Sequence, residues 1–76
     1  SYKTQFEKDL EKAQVVKNAV MSLSPKQRDV MLLRYYHDMK IKEIAEILSV
    51  PQSTVKTQLY RGEKNLKNLL KGELED

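Results

Sequence analysis

One segment constrains the fold of this chain more than any other: residues 41–61, which read IKEIAEILSVPQSTVKTQLYR. Apolar residues recur in it at helical spacing on both sides of a short break at Ser49, Val50 and Pro51. This pattern predicts two short helices joined by a tight turn. The small Ala45 lets the two helices cross closely, and Val50 fills the gap between them. The segment therefore predicts a helix-turn-helix, a motif that places its second helix in the major groove of DNA.

The flanking sequence also predicts helices, and we expect an all-α fold. Only two glycines and two prolines occur in 76 residues, and no alternation typical of strands is sustained. Apolar residues at helical spacing predict a helix from about Thr4 to Met21. In residues 24–27, which read SPKQ, Ser24 can cap a helix and Gln27 can complete a capping box. The sequence thus predicts one four-helix domain over residues 1–76, with a first helix within 1–22, a second at 24–36, and a helix-turn-helix at 41–48 and 52–71.

The apolar positions of these helices define a candidate core and leave a surplus. In so thin a domain, five apolar residues of the first two helices cannot all be interior: Phe6, Leu10, Met31, Leu32 and Tyr35. Two alternatives stay open, because these side chains either line a groove for a partner or complete the core. The predicted core consists of some of Val30, Leu32, Leu33 and Tyr36, together with Ile44, Ala45, Leu48, Val55, Leu59, Gly62, Leu66 and Leu69.

Composition excludes several classes of protein. The chain has no cysteine, which excludes a disulfide framework and suits a reducing cytoplasm. With His37 as the single histidine and no nucleophile beside it, we expect no enzyme, no cofactor, no metal site and no small-molecule substrate. No apolar run is long enough to span a bilayer, and no signal peptide is apparent. The chain begins at Ser1 without a methionine, which indicates a fragment or a processed chain.

The positive charge is concentrated on one predicted element. The chain carries a formal net charge of +3, but residues 51–71 hold five basic residues against Glu63 alone. The acidic tail formed by Glu73, Glu75 and Asp76 offsets most of this excess and is expected to fray. A basic helix face is by itself more often solvated than bound to DNA. Combined with the predicted turn, however, the charge favours a helix that contacts phosphates.

Turning each residue of the last predicted helix by about 100° separates an apolar face from a polar face. Gln52, Lys56 and Thr57 lie near its start, where glutamine suits adenine, lysine suits guanine and the threonine methyl suits thymine. Residues farther along are better placed for phosphates, and the first backbone amides of the helix can hold a phosphate as well. The candidate DNA contacts are Gln52, Ser53, Thr54, Lys56, Thr57, Tyr60, Arg61 and Lys64.

From Leu23 to Leu70 the chain resembles region 4 of bacterial sigma factors, especially the extracytoplasmic-function (ECF) group. The resemblance is carried by LSPKQRDVMLLRYYHDMKIKEIAEIL and by TVKTQLYRGEKNLKNLL. It implies a promoter-recognition domain in the bacterial cytoplasm, which binds the −35 element and docks on the β flap of RNA polymerase. An anti-sigma factor is a further implied partner, and no membrane contact is implied.

The chain departs from the family pattern at several positions. A glycine is common in the turn where this chain has Ser49, and a capping serine or threonine is common at Lys40 and Pro51. Gln58 and Glu63 stand where arginine is frequent, which lowers the positive charge and affects the base preference.

Two other readings stay open at this point. The first is a DNA-binding output domain of a LuxR-type response regulator, which would pair on two half-sites. The second is a sigma-like interaction module that binds polymerase or an anti-sigma factor without reading DNA. A single module of this size buries only about 600–1,000 Å² on DNA, so a second contact is expected to add affinity.

Overall fold

The computed structural model describes residues 2–73 and contains helices joined by short connections, with no strand in that range. The predicted all-α class is confirmed, and the helices begin and end close to the predicted positions. The predictions for Glu75 and Asp76 lie outside the described residues. The helices are α1 (Gln5–Met21), α2 (Pro25–Met31) with a π-helical continuation (Leu32–Tyr36), α3 (Ile41–Leu48) and α4 (Gln52–Leu70).

Helix α1 begins at a complete capping box. The Thr4 hydroxyl accepts from the Glu7 backbone N–H at 3.1 Å, and the Glu7 carboxylate accepts from the Thr4 backbone N–H at 3.1 Å. No residue of α1 is buried, and its first half carries Phe6 at 71% and Leu10 at 54% exposure. Only its second half has half-buried apolar residues, so α1 packs through that half and its first half projects from the domain.

Helix α2 begins at Pro25, but the capping box expected at its start does not form. Ser24 makes no side-chain hydrogen bond at the cap. Gln27 instead turns towards α4, where its Oε1 accepts from Asn65 Nδ2 at 2.9 Å. The prediction was wrong because a tertiary partner 38 residues away engages the side chain that would have closed the cap.

The end of α2 widens into the π-helical segment Leu32–Tyr36. Its hydrogen bonds span five residues, as in the bond from the His37 N–H to the Leu32 carbonyl at 3.0 Å. The wider turn shifts the side chains away from the 3.6-residue spacing used to predict the core. Tyr36, expected as a core candidate, is therefore 81% exposed. Met31, one of the surplus residues, precedes the segment and is buried, because it packs against Gly62 of α4.

A short loop then connects this segment to α3. Asp38 has a left-handed backbone with φ of 52°, and the Met39 N–H donates to the Leu33 carbonyl at 3.0 Å. The guanidinium of Arg34 donates from Nη1 to the Met39 carbonyl at 2.9 Å, which holds the loop against the preceding turn. At the start of α3, the Glu43 carboxylate accepts from the backbone N–H of Lys40 at 2.9 Å. This bond is one half of a capping box, and Lys40 cannot supply the other half because an ammonium group accepts no hydrogen bond.

The core lies where α2, α3 and α4 meet. Ile44 and Val55 are both 0% exposed, one on each helix of the predicted helix-turn-helix. Leu69, expected in the core, is 48% exposed, and Leu66 is only half-buried, because the end of α4 extends beyond the three-helix junction. The buried cluster consists of Leu23, Val30, Met31, Ile44, Ala45, Val55 and Leu59.

Candidate DNA interface

The turn between α3 and α4 is the tight turn that the sequence predicted, and its backbone is strained at one residue. Ser49 adopts the left-handed conformation, with φ of 55° and ψ of 46°. This backbone lets the Val50 N–H donate to the Ala45 carbonyl at 3.0 Å, which closes the end of α3. Pro51 follows with an extended backbone and its carbonyl accepts from the Thr54 N–H at 3.0 Å, so α4 starts at once. Ser49 thus adopts a backbone conformation that is unfavourable for a residue with a Cβ and that glycine would adopt without this cost.

The inner face of α4 is anchored by Val55, Leu59 and Gly62, all of which are buried. At Gly62 a Cβ atom would lie 3.0 Å from Met31 Cγ and 3.5 Å from Gln27 Cβ. The missing side chain therefore allows α2 and α4 to approach closely. This contact, together with the turn between α3 and α4, fixes the direction in which the outer face of α4 points.

The outer face of α4 is polar, exposed and free of acidic residues across its centre. Of the predicted DNA contacts, all but one are exposed in the structure, and they form one continuous face. Thr54 is half-buried and lies beside Val30, Leu48 and Val50, on the side of α4 that faces α2 and α3. The structure thus brings together Gln52, Ser53, Lys56, Thr57, Tyr60, Arg61 and Lys64, and sets Thr54 apart from them. Their contacts with bases and phosphates stay a prediction.

Thr57 lies near the centre of this face and has one side-chain hydrogen bond to the described residues. Its hydroxyl donates to the Ser53 carbonyl oxygen at 3.0 Å, one helical turn earlier. Gln58, which the family resemblance marked as a lost positive charge, is half-buried beside Asp29 and Lys26. It therefore lies at the margin of the face, where a charge would contribute less to DNA contact.

Glu63, the second departure in charge, has a structural role. The Tyr35 hydroxyl donates to the Glu63 carboxylate, joining the π-helical segment to α4. This hydrogen bond, with smaller contributions from partial burial and the negative charge of Glu63, raises the pKa of Tyr35 above its ordinary value. The carboxylate is thus turned towards α2 and away from the outer face.

Sequence reasoning missed both polar contacts between α2 and α4, namely Tyr35 with Glu63 and Gln27 with Asn65. The partners are 28 and 38 residues apart, and all four side chains belong to residue types that are common on solvated helix faces. Helical periodicity reports which side of a helix is apolar, and it carries no information on which polar residues meet across two helices.

Within residues 2–73, no cluster of three or more histidine, cysteine, aspartate or glutamate side chains is arranged to hold a metal ion. No helix in the described part of the chain combines the length and apolar character required to cross a membrane.

The tight turn between α3 and α4 and the exposed outer face of α4 define a helix-turn-helix domain of the DNA-binding class. The family model for sigma-70, region 4, matches residues 13–66, and the chain belongs to that family. The match starts near the middle of α1, close to where this helix begins to pack on the domain, and ends within the second half of α4. The resemblance to sigma region 4 is confirmed, and this match does not favour a LuxR-type domain.

Two curated relatives agree with the resemblance to the ECF group of sigma factors. The ECF RNA polymerase sigma factor SigW of Bacillus subtilis (strain 168) is 36% identical over 62 residues, which are 82% of this chain and 33% of SigW. The RNA polymerase sigma factor SigV of the same organism is 41% identical over 46 residues, which are 60% of this chain and 28% of SigV. The chain therefore spans a third or less of the length of these relatives, and corresponds to one region of such a protein.

Proposed function

We propose that this chain is the promoter-recognition domain of an RNA polymerase sigma factor, which binds the −35 element and directs transcription initiation with the polymerase. The observation that carries this proposal is the outer face of α4, which is exposed and basic and directly follows the turn between α3 and α4. Membership of the region 4 family supports it. The proposal places the protein in the bacterial cytoplasm, where polymerase and chromosomal DNA are found.

In this proposal α4 lies in the major groove, with its first turns against the bases. Gln52, Ser53, Lys56 and Thr57 are the proposed base contacts, because the start of a recognition helix is the part that reaches base edges. Phosphates are the proposed partners of Tyr60, Arg61 and Lys64, which position the helix without carrying sequence information. Thr54 is half-buried, and we assign it a supporting role in the turn in place of a base contact.

A second contact is proposed on the polymerase. Phe6, Leu10 and Tyr35 expose 71%, 54% and 60% of their surface, although the sequence pattern placed them on apolar helix faces. Isolated exposed apolar residues are ordinary on proteins, but α1 has no buried residue to account for its apolar side. We propose that these residues contribute to docking on the β flap, and that an anti-sigma factor competes for the same surface.

The DNA-binding part is tested by measuring the affinity of the chain for duplex DNA against salt concentration. The tightest duplex is first selected from a random double-stranded pool, and binding is followed by fluorescence anisotropy. The logarithm of the binding constant is expected to fall linearly with the logarithm of salt concentration, with a slope of about −0.9 for each phosphate contacted. A DNA affinity that does not change with salt concentration would refute the proposed DNA-binding function and would favour a protein-interaction module.

Two substitutions test the assigned roles, and a third serves as control. Arg61→Ala is expected to weaken binding to all duplexes and to reduce the salt slope by about one phosphate contact. Lys56→Ala is expected to change the preferred base at one position of the selected site. Lys8→Ala removes a comparable charge from the exposed first half of α1 and is expected to change neither quantity. If Lys56→Ala and Arg61→Ala weaken binding equally on every sequence, the assignment of Lys56 to a base is wrong.

The polymerase contact is tested separately with the double substitution of Phe6 and Leu10 by serine. Because both side chains are largely exposed, the thermal stability of the chain and its DNA affinity are expected to stay unchanged. Binding to core polymerase, measured by surface plasmon resonance with the chain immobilised, is expected to weaken. Unchanged polymerase binding would place the docking surface elsewhere on the domain.

A further inference from the structure

Thr57 offers two different groups to a ligand, and one of them is already engaged. Its hydroxyl donates its single proton to the Ser53 carbonyl oxygen at 3.0 Å. Threonine side chains inside helices commonly bond the carbonyl four residues earlier in this way. Thr57 is nevertheless exposed, so the second branch of its side chain, the γ-methyl group, remains accessible on the outer face of α4.

The chemistry of the major groove determines what such a side chain can recognise. The N7 atoms of guanine and adenine, guanine O6 and thymine O4 all accept hydrogen bonds and require a donor from the protein. The Thr57 hydroxyl has no second proton to donate to them. It retains only acceptor capacity, for the amino groups of adenine or cytosine. Thymine alone presents an apolar group in this groove, its C5-methyl.

We propose that Thr57 determines sequence specificity by selecting thymine at one position of the DNA site, through contact between its γ-methyl and the thymine methyl. This inference rests on the proposed function and assigns one base preference within it. The neighbouring Lys56 and Arg61 bring donors and positive charge to the same face, which suit guanine and phosphate. Thr57 differs from both, because its accessible group is aliphatic.

The probe is the duplex that this chain binds most tightly from a random double-stranded pool. Each thymine is replaced in turn by deoxyuridine, which keeps the base pair and removes only the C5-methyl group. One replacement is expected to lower the affinity of the unsubstituted chain roughly fourfold, which corresponds to burial of one methyl group. The other replacements are expected to have smaller effects.

Two variants of Thr57 identify the group that makes the contact. Thr57→Ser keeps the hydroxyl and removes the methyl, so it is expected to bind the thymine and deoxyuridine duplexes equally, with roughly fourfold loss on the thymine duplex. Thr57→Val keeps the methyl and removes the hydroxyl, so it is expected to retain the discrimination. Thermal unfolding of both variants is measured to show that the chain remains folded.

Three results would overturn the assignment. The first is that no thymine is sensitive to loss of its methyl, which needs no protein variant to establish. The second is that Thr57→Ser still discriminates against deoxyuridine at the sensitive position. The third is that Thr57→Val loses discrimination while Thr57→Ser keeps it, which would mean that the hydroxyl reads the base. A chain that selects no duplex at all would instead refute the proposed function, and this outcome is distinct from the other three.

Discussion

The left-handed residue in the turn leads to a stability prediction for Ser49→Gly. Ser49 has φ of 55° and ψ of 46°, a conformation that costs a residue with a Cβ about 1–2 kcal/mol. Glycine removes this cost, but it loses roughly 0.5–1 kcal/mol more conformational entropy on folding. The net expectation is stabilisation by about 0.5–1 kcal/mol. For a domain of this size, that raises the Tm by about 2–8 °C.

The assay is thermal and urea unfolding followed by circular dichroism, with two control variants. Ser24→Gly changes the same residue type at φ of −57°, where the serine side chain makes no cap hydrogen bond. Since no strain is relieved there, Ser24→Gly is expected to lower stability by about 0.5 kcal/mol. Ser49→Ala removes the hydroxyl but keeps the Cβ, and is expected to stay within about 0.5 kcal/mol of the unsubstituted chain.

The reasoning rests on the difference between the two glycine variants. If Ser49→Gly and Ser24→Gly destabilise the chain by the same amount, the backbone at Ser49 carries no strain that glycine relieves. If Ser49→Ala stabilises as much as Ser49→Gly, the gain comes from loss of the hydroxyl and the backbone explanation is refuted.

Three further predictions concern the core, the approach of α2 to α4, and pH. Ile44→Ala removes a side chain with 0% exposure and is expected to cost about 2–5 kcal/mol in urea unfolding, whereas Ile47→Ala on the exposed side of the same helix should cost under about 0.5 kcal/mol. Gly62→Val is expected to destabilise the chain by about 1–3 kcal/mol, because a Cβ at this position already lies 3.0 Å from Met31 and the branched side chain would overlap it. An unchanged Tm would show that α2 can move to make room without loss of stability. The pKa of Tyr35 is raised in the folded chain, so the unfolded chain loses the phenolic proton at lower pH than the folded chain does. The stability that the Tyr35–Glu63 hydrogen bond provides is therefore complete below the ordinary pKa of 10.0 and is lost as pH rises through the folded pKa. Tyr35→Phe is therefore expected to show a smaller loss of stability than the unsubstituted chain between pH 9 and 11 (roughly the range around a tyrosine pKa), and equal losses would contradict the Tyr35–Glu63 contact.

The sequence was sufficient to predict the helices and the turn, because these depend on local pattern. Helical spacing identified α3 and α4, and the small Ala45 and the Ser49-Val50-Pro51 break identified the turn between them. The same spacing failed at Tyr36, because it assumes 3.6 residues per turn and the chain widens into a π-helical segment there. Nothing local in the residues Leu32–Tyr36 signals the extra residue in that turn.

The candidate interface was predictable to a similar depth. The exposed face of α4 follows from the angular positions of its polar residues, and all but Thr54 of the predicted contacts lie on it. Thr54 lies at the edge between the apolar and polar faces of α4. At such a position a helical-wheel projection with about 100° per residue does not show whether a neighbouring helix covers the side chain. That depends on the neighbouring Leu48 and Val50, and therefore on how α3 crosses α4.

The two hydrogen bonds between α2 and α4 have a consequence for how the domain is oriented between its proposed partners. Glu63 and Asn65 lie on opposite flanks of Gly62, since each residue turns the helix by about 100°. A roll of α4 about its own axis in either direction would stretch one bond or the other. Helix α2 thus fixes the rotation of the recognition helix about its own axis. The alignment of promoter and polymerase would therefore depend on the packing of α2 against α4. Substitutions at Gln27 or Tyr35, which are not on the outer face of α4, would then alter the angle at which the DNA is bound.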